Sequence, residues 1–330
     1  MPQLTAEPRG TVGIVYQGKG EPMRRFLLVS VALIACAAID SAGAADLPPA
    51  GPLPTKAPVV AAPVWSWTGC YLGVNAGGTR GRNDADLLPG GNYLAAPGTL
   101  PPPNLDGSGD FSADIAALTH FYSDTNSGWE AGGQVGCNAQ WGMAVLGIEG
   151  DWQWTNTGTS ADASYPAVPN AGNPLFPNPS HTEHVDVTQR WFSTARARAG
   201  FTPWERVLIY ATGGIAWANF QSDTVVAFAS GANPFLTPFS GATHVGSAST
   251  NQMGWVVGGG LEWALTNNWS VKAEYLYLRF DSFAYASPLT AASLPFAPGY
   301  AWITSVTPVE QVVRLGVNYK FDWGPVVARY

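Results

Sequence analysis

The sequence predicts an all-β chain: a closed, eight-stranded, antiparallel, up-and-down transmembrane β-barrel. Three observations predict it. Charge is scarce in a chain rich in aromatics, seven of eight candidate strands alternate between two faces at period 2, and the connections between them alternate strictly between long and short.

Composition sets the class. Of 330 residues 46% are apolar and only 12% charged, with 14 Trp, 12 Tyr, 14 Phe and 38 Gly. That is about half the charge of a soluble domain, too little for a hydrated skin. A disordered chain would lack the aromatics. The net charge of −7 excludes a nucleic-acid partner, because no Lys/Arg cluster is available to follow a phosphate backbone. The arginines between 190 and 206 alternate with apolar residues instead.

The long apolar run, 26–39, follows Met23-Arg24-Arg25 and precedes Ala42-Gly43-Ala44. A positive flank, a short apolar stretch and small residues at the cleavage site read as a secretory signal peptide over 23–44. The run is too short for a membrane helix, which needs about 20 residues. A second reading takes Leu33-Ile34-Ala35-Cys36 as a lipobox with a lipid on Cys36. Residues 1–22 resemble no targeting segment and read as an upstream extension ahead of initiation at Met23. Residues 45–64, dense in Pro and Ala, read as a periplasmic lead-in. The barrel is expected over 65–323 and a short tail over 324–330.

Period 2 marks a strand with two unlike faces. In 130–140, Ala131, Gly133, Val135, Cys137 and Ala139 oppose Glu130, Gln134, Asn138 and Gln140. In 145–154, Leu146, Ile148, Trp152 and Trp154 oppose Glu149, Asp151 and Gln153. In 312–321, Val313, Leu315, Val317, Tyr319 and Phe321 oppose Arg314, Asn318 and Lys320. Segments 70–77, 191–201, 253–264 and 269–280 follow suit, whereas 207–220 is apolar on both faces and cannot be oriented. Long links are expected over 79–128, 155–189, 221–251 and 281–309, and short ones over 141–144, 202–206 and 266–268. Short turns on one side and long loops on the other are the pattern of outer-membrane barrels. In lipid the sheet must close, since open edges would leave backbone groups unpaired in hydrocarbon. Trp65, Trp67, Tyr71, Trp141, Trp204, Trp263, Trp269 and Tyr319 are expected at the periplasmic membrane boundary. A soluble β-sandwich is the alternative for alternating strands, but it does not explain the poverty of charge.

The stretch Trp67-Thr68-Gly69-Cys70-Tyr71-Leu72-Gly73-Val74-Asn75-Ala76-Gly77-Gly78 resembles the first strand of the alphaproteobacterial outer-membrane immunogenic, or porin-like, small β-barrel proteins. So do Gly147-Ile148-Glu149-Gly150-Asp151, Thr194-Ala195-Arg196-Ala197-Arg198-Ala199-Gly200, the stretch from Thr266 to Tyr277, and Arg314-Leu315-Gly316-Val317-Asn318-Tyr319-Lys320-Phe321. The resemblance covers the strands and not the long loops. It implies an OmpA-like barrel in the outer membrane of a Gram-negative cell, with a role in envelope integrity and in contact with host or other surfaces. It implies no catalytic residue and no cofactor. It also implies that an aromatic closing the last strand is the signal read by the outer-membrane insertion machinery: Phe321 is the expected one, with Tyr330, after a nine-residue extension, as the alternative. The expected partners are outer-membrane lipid and lipopolysaccharide, that machinery, and surface ligands of the loops. Both termini are expected in the periplasm.

The polar faces collect five acids, Glu130, Glu149, Asp151, Glu262 and Glu274, and five bases, Arg196, Arg198, Lys272, Arg314 and Lys320. Eight strands enclose only enough room for side chains, so balanced charge there predicts an ion-paired plug; a narrow ion path through the same residues is the alternative. Cys70 and Cys137 fall on sequential strands near their periplasmic ends, which predicts a disulfide; two small lipid-facing residues are the alternative. All four histidines fall in the long links, and His181 and His184, three apart, are weak candidates for holding a metal or haem iron. Asp106, Asp110 and Asp114 fit no Ca²⁺ loop. A lipid-face enzyme would need a His with Ser or Asp at the extracellular rim, and no strand end offers that set. A small porin is the remaining functional alternative.

Overall fold

The computed structural model describes residues 65–91, 118–167, 180–229, 241–290 and 300–321. The expected signal peptide, Cys36, the lead-in to residue 64, Asp106, Asp110, Asp114 and the tail from 324 lie outside the described residues. Ten strands form: β1 (Gly69–Gly91), β2 (His120–Trp141), β3 (Ala144–Thr155), β4 (Gly158–Tyr165), β5 (His181–Trp204), β6 (Val207–Phe228), β7 (Thr243–Ala264), β8 (Trp269–Phe280), β9 (Phe283–Pro288) and β10 (Tyr300–Lys320). Breaks at 156–157 and 281–282 divide two long strands, β3/β4 and β8/β9, so the ring counts eight. Every pairing is antiparallel, and β1 closes the ring on β10 from Tyr71↔Lys320 to Gly91↔Tyr300.

The turns are short at one end. Gly142 supplies the left-handed conformation (φ 60°) of the turn joining β2 to β3. At the other end the strands overrun the expected loops. β2, β6 and β7 are each 22 residues long, about double the 9–11 a tilted strand needs to cross a bilayer. Much of what the sequence predicted as long link is therefore strand, because the period continues with Ser, Thr, Asn and Asp on the outer face.

Outside, the lower half is apolar. Leu72, Val74, Val135, Leu146, Ile148, Leu261, Val313 and Leu315 are exposed. Trp141, Trp204, Trp263 and Trp269 ring the lower edge of this band and Trp129, Trp154 and Trp255 the upper edge, as lipid-facing barrels require. Trp65, Trp67 and Tyr71 do not join the lower ring. They are 8%, 3% and 3% exposed. Trp65 and Trp67 fold into the mouth at the short-turn end against Val145, Leu208, Tyr210 and Ala264. The same plug orients β6: its even-numbered residues point inward from Leu208 to Phe228.

Above the upper aromatic ring the sheet changes. β2 pairs with β3 only up to Glu130↔Thr155, and β4 pairs with β5 alone. β7 pairs with β8 only up to Gly254↔Phe280, and a single bridge, His244↔Leu289, links it higher up to the chain after β9. Two seams thus open, one between β2 and β4 and one between β7 and β9. They separate a sheet of β4-β5-β6-β7 from a sheet of β9-β10-β1-β2. Leu87, Trp302, Val306 and Phe283 of one pack against Val185, Val187, Phe220 and Phe228 of the other in one apolar core.

Candidate functional site

The lumen of the membrane half holds the charged side chains. Each strand contributes its inward set by parity: Glu149 and Asp151 from β3, Arg196 and Arg198 from β5, Glu262 from β7, Lys272 and Glu274 from β8, Arg314 from β10, all buried. Arg196 bridges Glu149 at 2.5 Å, Asp151 at 2.8 Å and Glu274 at 3.0 Å. Arg314 contacts Glu274 at 2.6 Å and Asp151 at 2.8 Å. Lys272 donates to both oxygens of Glu149 at 2.9 Å. Arg198 pairs with Glu262 at 2.7 Å and donates to the Tyr71 hydroxyl at 2.7 Å, while its guanidinium lies 4.0 Å from the centre of the Tyr210 ring. Glu262 also accepts from Ser270 at 2.6 Å and Asn318 at 2.8 Å. Four acids meet four bases, so the cluster is neutral. Gly316 faces Lys272: a Cβ there would lie 3.2 Å from the lysine chain, and its absence gives the long side chain room.

Two residues predicted for this network stand apart from it. Lys320 occupies the last inward position of β10, but that position lies at the mouth. Its ammonium reaches the Ser66 carbonyl at 2.5 Å and sits 4.0 Å from the centre of the Trp65 ring. Glu130 is buried above the network, and neither carboxylate oxygen has a hydrogen-bond partner among the described residues. Glu310, which the sequence reading left between the last long link (281–309) and the last strand (312–321), faces the same level and accepts from Thr157 at 3.3 Å; continuing the period backward from Arg314 through Val312 would have found it. Tyr71 and Tyr210 were also missed as network members. Tyr71 donates to Glu149 at 2.6 Å and Tyr210 to Glu274 at 3.0 Å.

Cys70 and Cys137 stand opposite each other in the β1–β2 register and are joined by a disulfide, with Cα atoms 3.9 Å apart. Phe321 follows β10, partly exposed, and its N–H donates to the Cys70 carbonyl at 3.0 Å.

The histidines lie in strands, not loops. His181 and His184 do not converge, because positions three apart on a strand point to opposite faces. His184 points outward to Asp162 at 2.7 Å. His181 points inward and meets His120 of β2 and Glu183 of β5. Burial raises the Glu183 carboxyl, but hydrogen bonds from His181, Tyr122 and His120 outweigh it and hold it below the ordinary value. At the other seam, burial pushes His244 down to about 4, against the opposing effect of the Ser287 carbonyl.

A family model described as the outer membrane protein beta-barrel domain matches residues 55–321. Among curated proteins, the 31 kDa outer-membrane immunogenic protein of Brucella melitensis is 34% identical over 295 residues, covering 89% of this chain and 99% of that protein. The 25 kDa outer-membrane immunogenic protein of Brucella abortus is 24% identical over 299 residues, covering 91% and 99%. Solved structures with a similar fold include the outer membrane protease OmpT of Escherichia coli, at 8% identity, TM-score 0.41, 79% of this chain and 99% of that one. They also include the outer membrane protein OprG of Pseudomonas aeruginosa, at 9% identity, TM-score 0.35, 77% and 97%.

Proposed function

Since the chain belongs to the outer membrane protein β-barrel family, we propose that it serves the outer membrane as a plugged, non-catalytic barrel with an envelope-structural and surface-interaction role. One observation carries this reading: side chains of the described residues occupy the lumen at three successive levels. Trp65 and Trp67 fill the periplasmic mouth, eight paired charges fill the membrane half, and an apolar core fills the upper half. A solute would have to break buried ion pairs, each costing several kcal/mol to separate. In this reading the short turns and the filled mouth face the periplasm, with both ends of the barrel domain on that side and the long strand extensions directed outward, as outer-membrane barrels are built.

The surface role rests on the outer wall. Just beyond the upper aromatic ring, Arg80, Arg82 and Arg279 line a groove of about 400 Å³ with Tyr277, at the level where the phosphates of lipopolysaccharide would lie. Phe321 supplies the terminal aromatic for the insertion machinery, and the loops between the extended strands are the surface offered to other cells.

Planar-bilayer recording tests the plug. Purified barrel is expected to give no steady conductance, and sustained openings in the wild-type protein would replace this reading with a small porin. Gene deletion is expected to sensitise the envelope to detergent; an unchanged envelope would remove the structural role.

A further inference from the structure

The seam between β2 and β4 is crossed by side chains rather than by backbone pairing. Tyr122 and Tyr165 meet hydroxyl to hydroxyl at 2.9 Å, and the His120 ring stacks on Tyr165 at 3.6 Å between centres. Beneath them, one oxygen of Glu183 lies 2.9 Å from His120 Nδ1 and 3.1 Å from His181 Nε2. All three potential ligand atoms lie within 4.8 Å of one another. The side chains of His181 and Glu183 are 4% and 0% exposed, and that of His120 is 15% exposed.

Here two imidazoles converge on one carboxylate oxygen, while the other ring nitrogen of His181 is buried without a partner among the described residues. Two imidazoles and a carboxylate are a ligand set for a first-row divalent ion. Edges of 2.9 and 3.1 Å subtend roughly 90° at an ion about 2.1 Å from each ligand, and a small opening would reach tetrahedral angles. The outer shell is built as well: the Tyr122 hydroxyl donates to the second Glu183 oxygen at 2.5 Å and fixes the carboxylate's orientation. Open positions would face the His120 side, the less buried one, where water can complete the coordination.

We propose that His120, His181 and Glu183 form a binding site for a divalent first-row transition ion of the Zn²⁺ type, which ties β2 to β5 across the seam. The ion would add a cross-link where the backbone ladder is absent. This inference stands independently of the plugged-barrel reading, since a conducting barrel could carry the same site.

The test uses full-length, untagged protein folded in detergent, stripped with chelator and titrated with Zn²⁺, then with Co²⁺ for its absorption bands. Wild type is expected to take up one equivalent, with slower amide exchange in β2 and β4. Glu183→Gln, which keeps the side-chain volume but removes a ligand, is expected to weaken uptake by more than the roughly 10–100-fold typical of outer-shell changes, and His184→Ala, on the outer face, to leave it unchanged. Heat-modifiable gel migration reports folding, and His120→Asn decides the matter if Glu183→Gln fails to fold. Absence of uptake by wild type at submillimolar Zn²⁺ would overturn the proposal. So would uptake that survives both Glu183→Gln and His120→Asn, or uptake that His184→Ala abolishes.

Discussion

The two halves of this barrel solve the same packing problem with opposite materials. In the membrane half the outside is hydrocarbon and the inside is charge: Leu315 and Val313 face lipid while Arg314, between them, is fully buried among carboxylates. In the half above the upper aromatic ring the outside is polar and the inside is largely apolar: Ser305 and Thr307 are partly exposed, whereas Trp302 and Val306 are buried. The same strand, β10, runs through both. The backbone follows the solvent. Where lipid surrounds the sheet every strand is paired on both sides, because no water is available to satisfy an open edge. Where water surrounds it, two seams are tolerated, and apolar packing between two four-stranded sheets takes over the work of closure.

That contrast can be broken from either side. The largest effect is expected in the charged half. Arg196→Ala strips three carboxylates of a shared partner and should cost on the order of 3–5 kcal/mol, read as a lower denaturant midpoint for the whole barrel in lipid; an unchanged midpoint would show that the network is dispensable. Trp302→Ala, in the centre of the upper core, should cost about 3 kcal/mol or more, but locally. Amide exchange is expected to accelerate in the strands above the upper aromatic ring while β3 and β8 stay protected, and uniform acceleration would show that the halves are one cooperative unit.

A pH titration separates the halves next. His244, packed near Phe228 and Trp302 and against the Ser287 carbonyl, has its pKa depressed to about 4. The unfolded chain therefore takes up this proton first, near the ordinary histidine value of about 6.5. The stability attached to the neutral ring is complete above that value and is lost as pH falls toward 4, by an amount on the order of 3 kcal/mol. His244→Phe should flatten the pH dependence of upper-half amide exchange over that window; a profile identical to wild type would remove the histidine as its source. The smallest effect belongs to the mouth. Lys320→Gln removes a partly exposed cation from the Trp65 ring and should cost about 0.5–1 kcal/mol, seen as a small midpoint shift.

The membrane half was legible in the sequence because lipid enforces a stark alternation. Parity alone placed Glu149, Asp151, Arg196, Arg198, Glu262, Lys272, Glu274 and Arg314 on inward faces. It could not give depth along the barrel, so Lys320 and Glu130 were grouped with the network although one lies at the mouth and the other above. The upper half was less legible. Its outer face carries Ser247, Ser249 and Asn251, residue types that also make loops, and its inner face mixes Val and Phe with His181, Glu183 and Thr224. Once a segment is read as loop, its periodicity is no longer used, so His181 and His184 were taken as neighbours although a strand sends them apart. Trp65 and Trp67 precede the first strand, where no period exists to reveal that they turn inward.

The charge network also constrains the order of assembly. Its members come from β3, β5, β7, β8 and β10, and Arg314 arrives on the last strand of the ring. A barrel built from its first hairpins onward carries Glu149, Asp151 and Arg196 for most of that process without their full set of partners. Those groups must stay hydrated until β10 docks on β1. Expulsion of water from the lumen is then the closing event of folding, and the final strand is the one that dries the barrel.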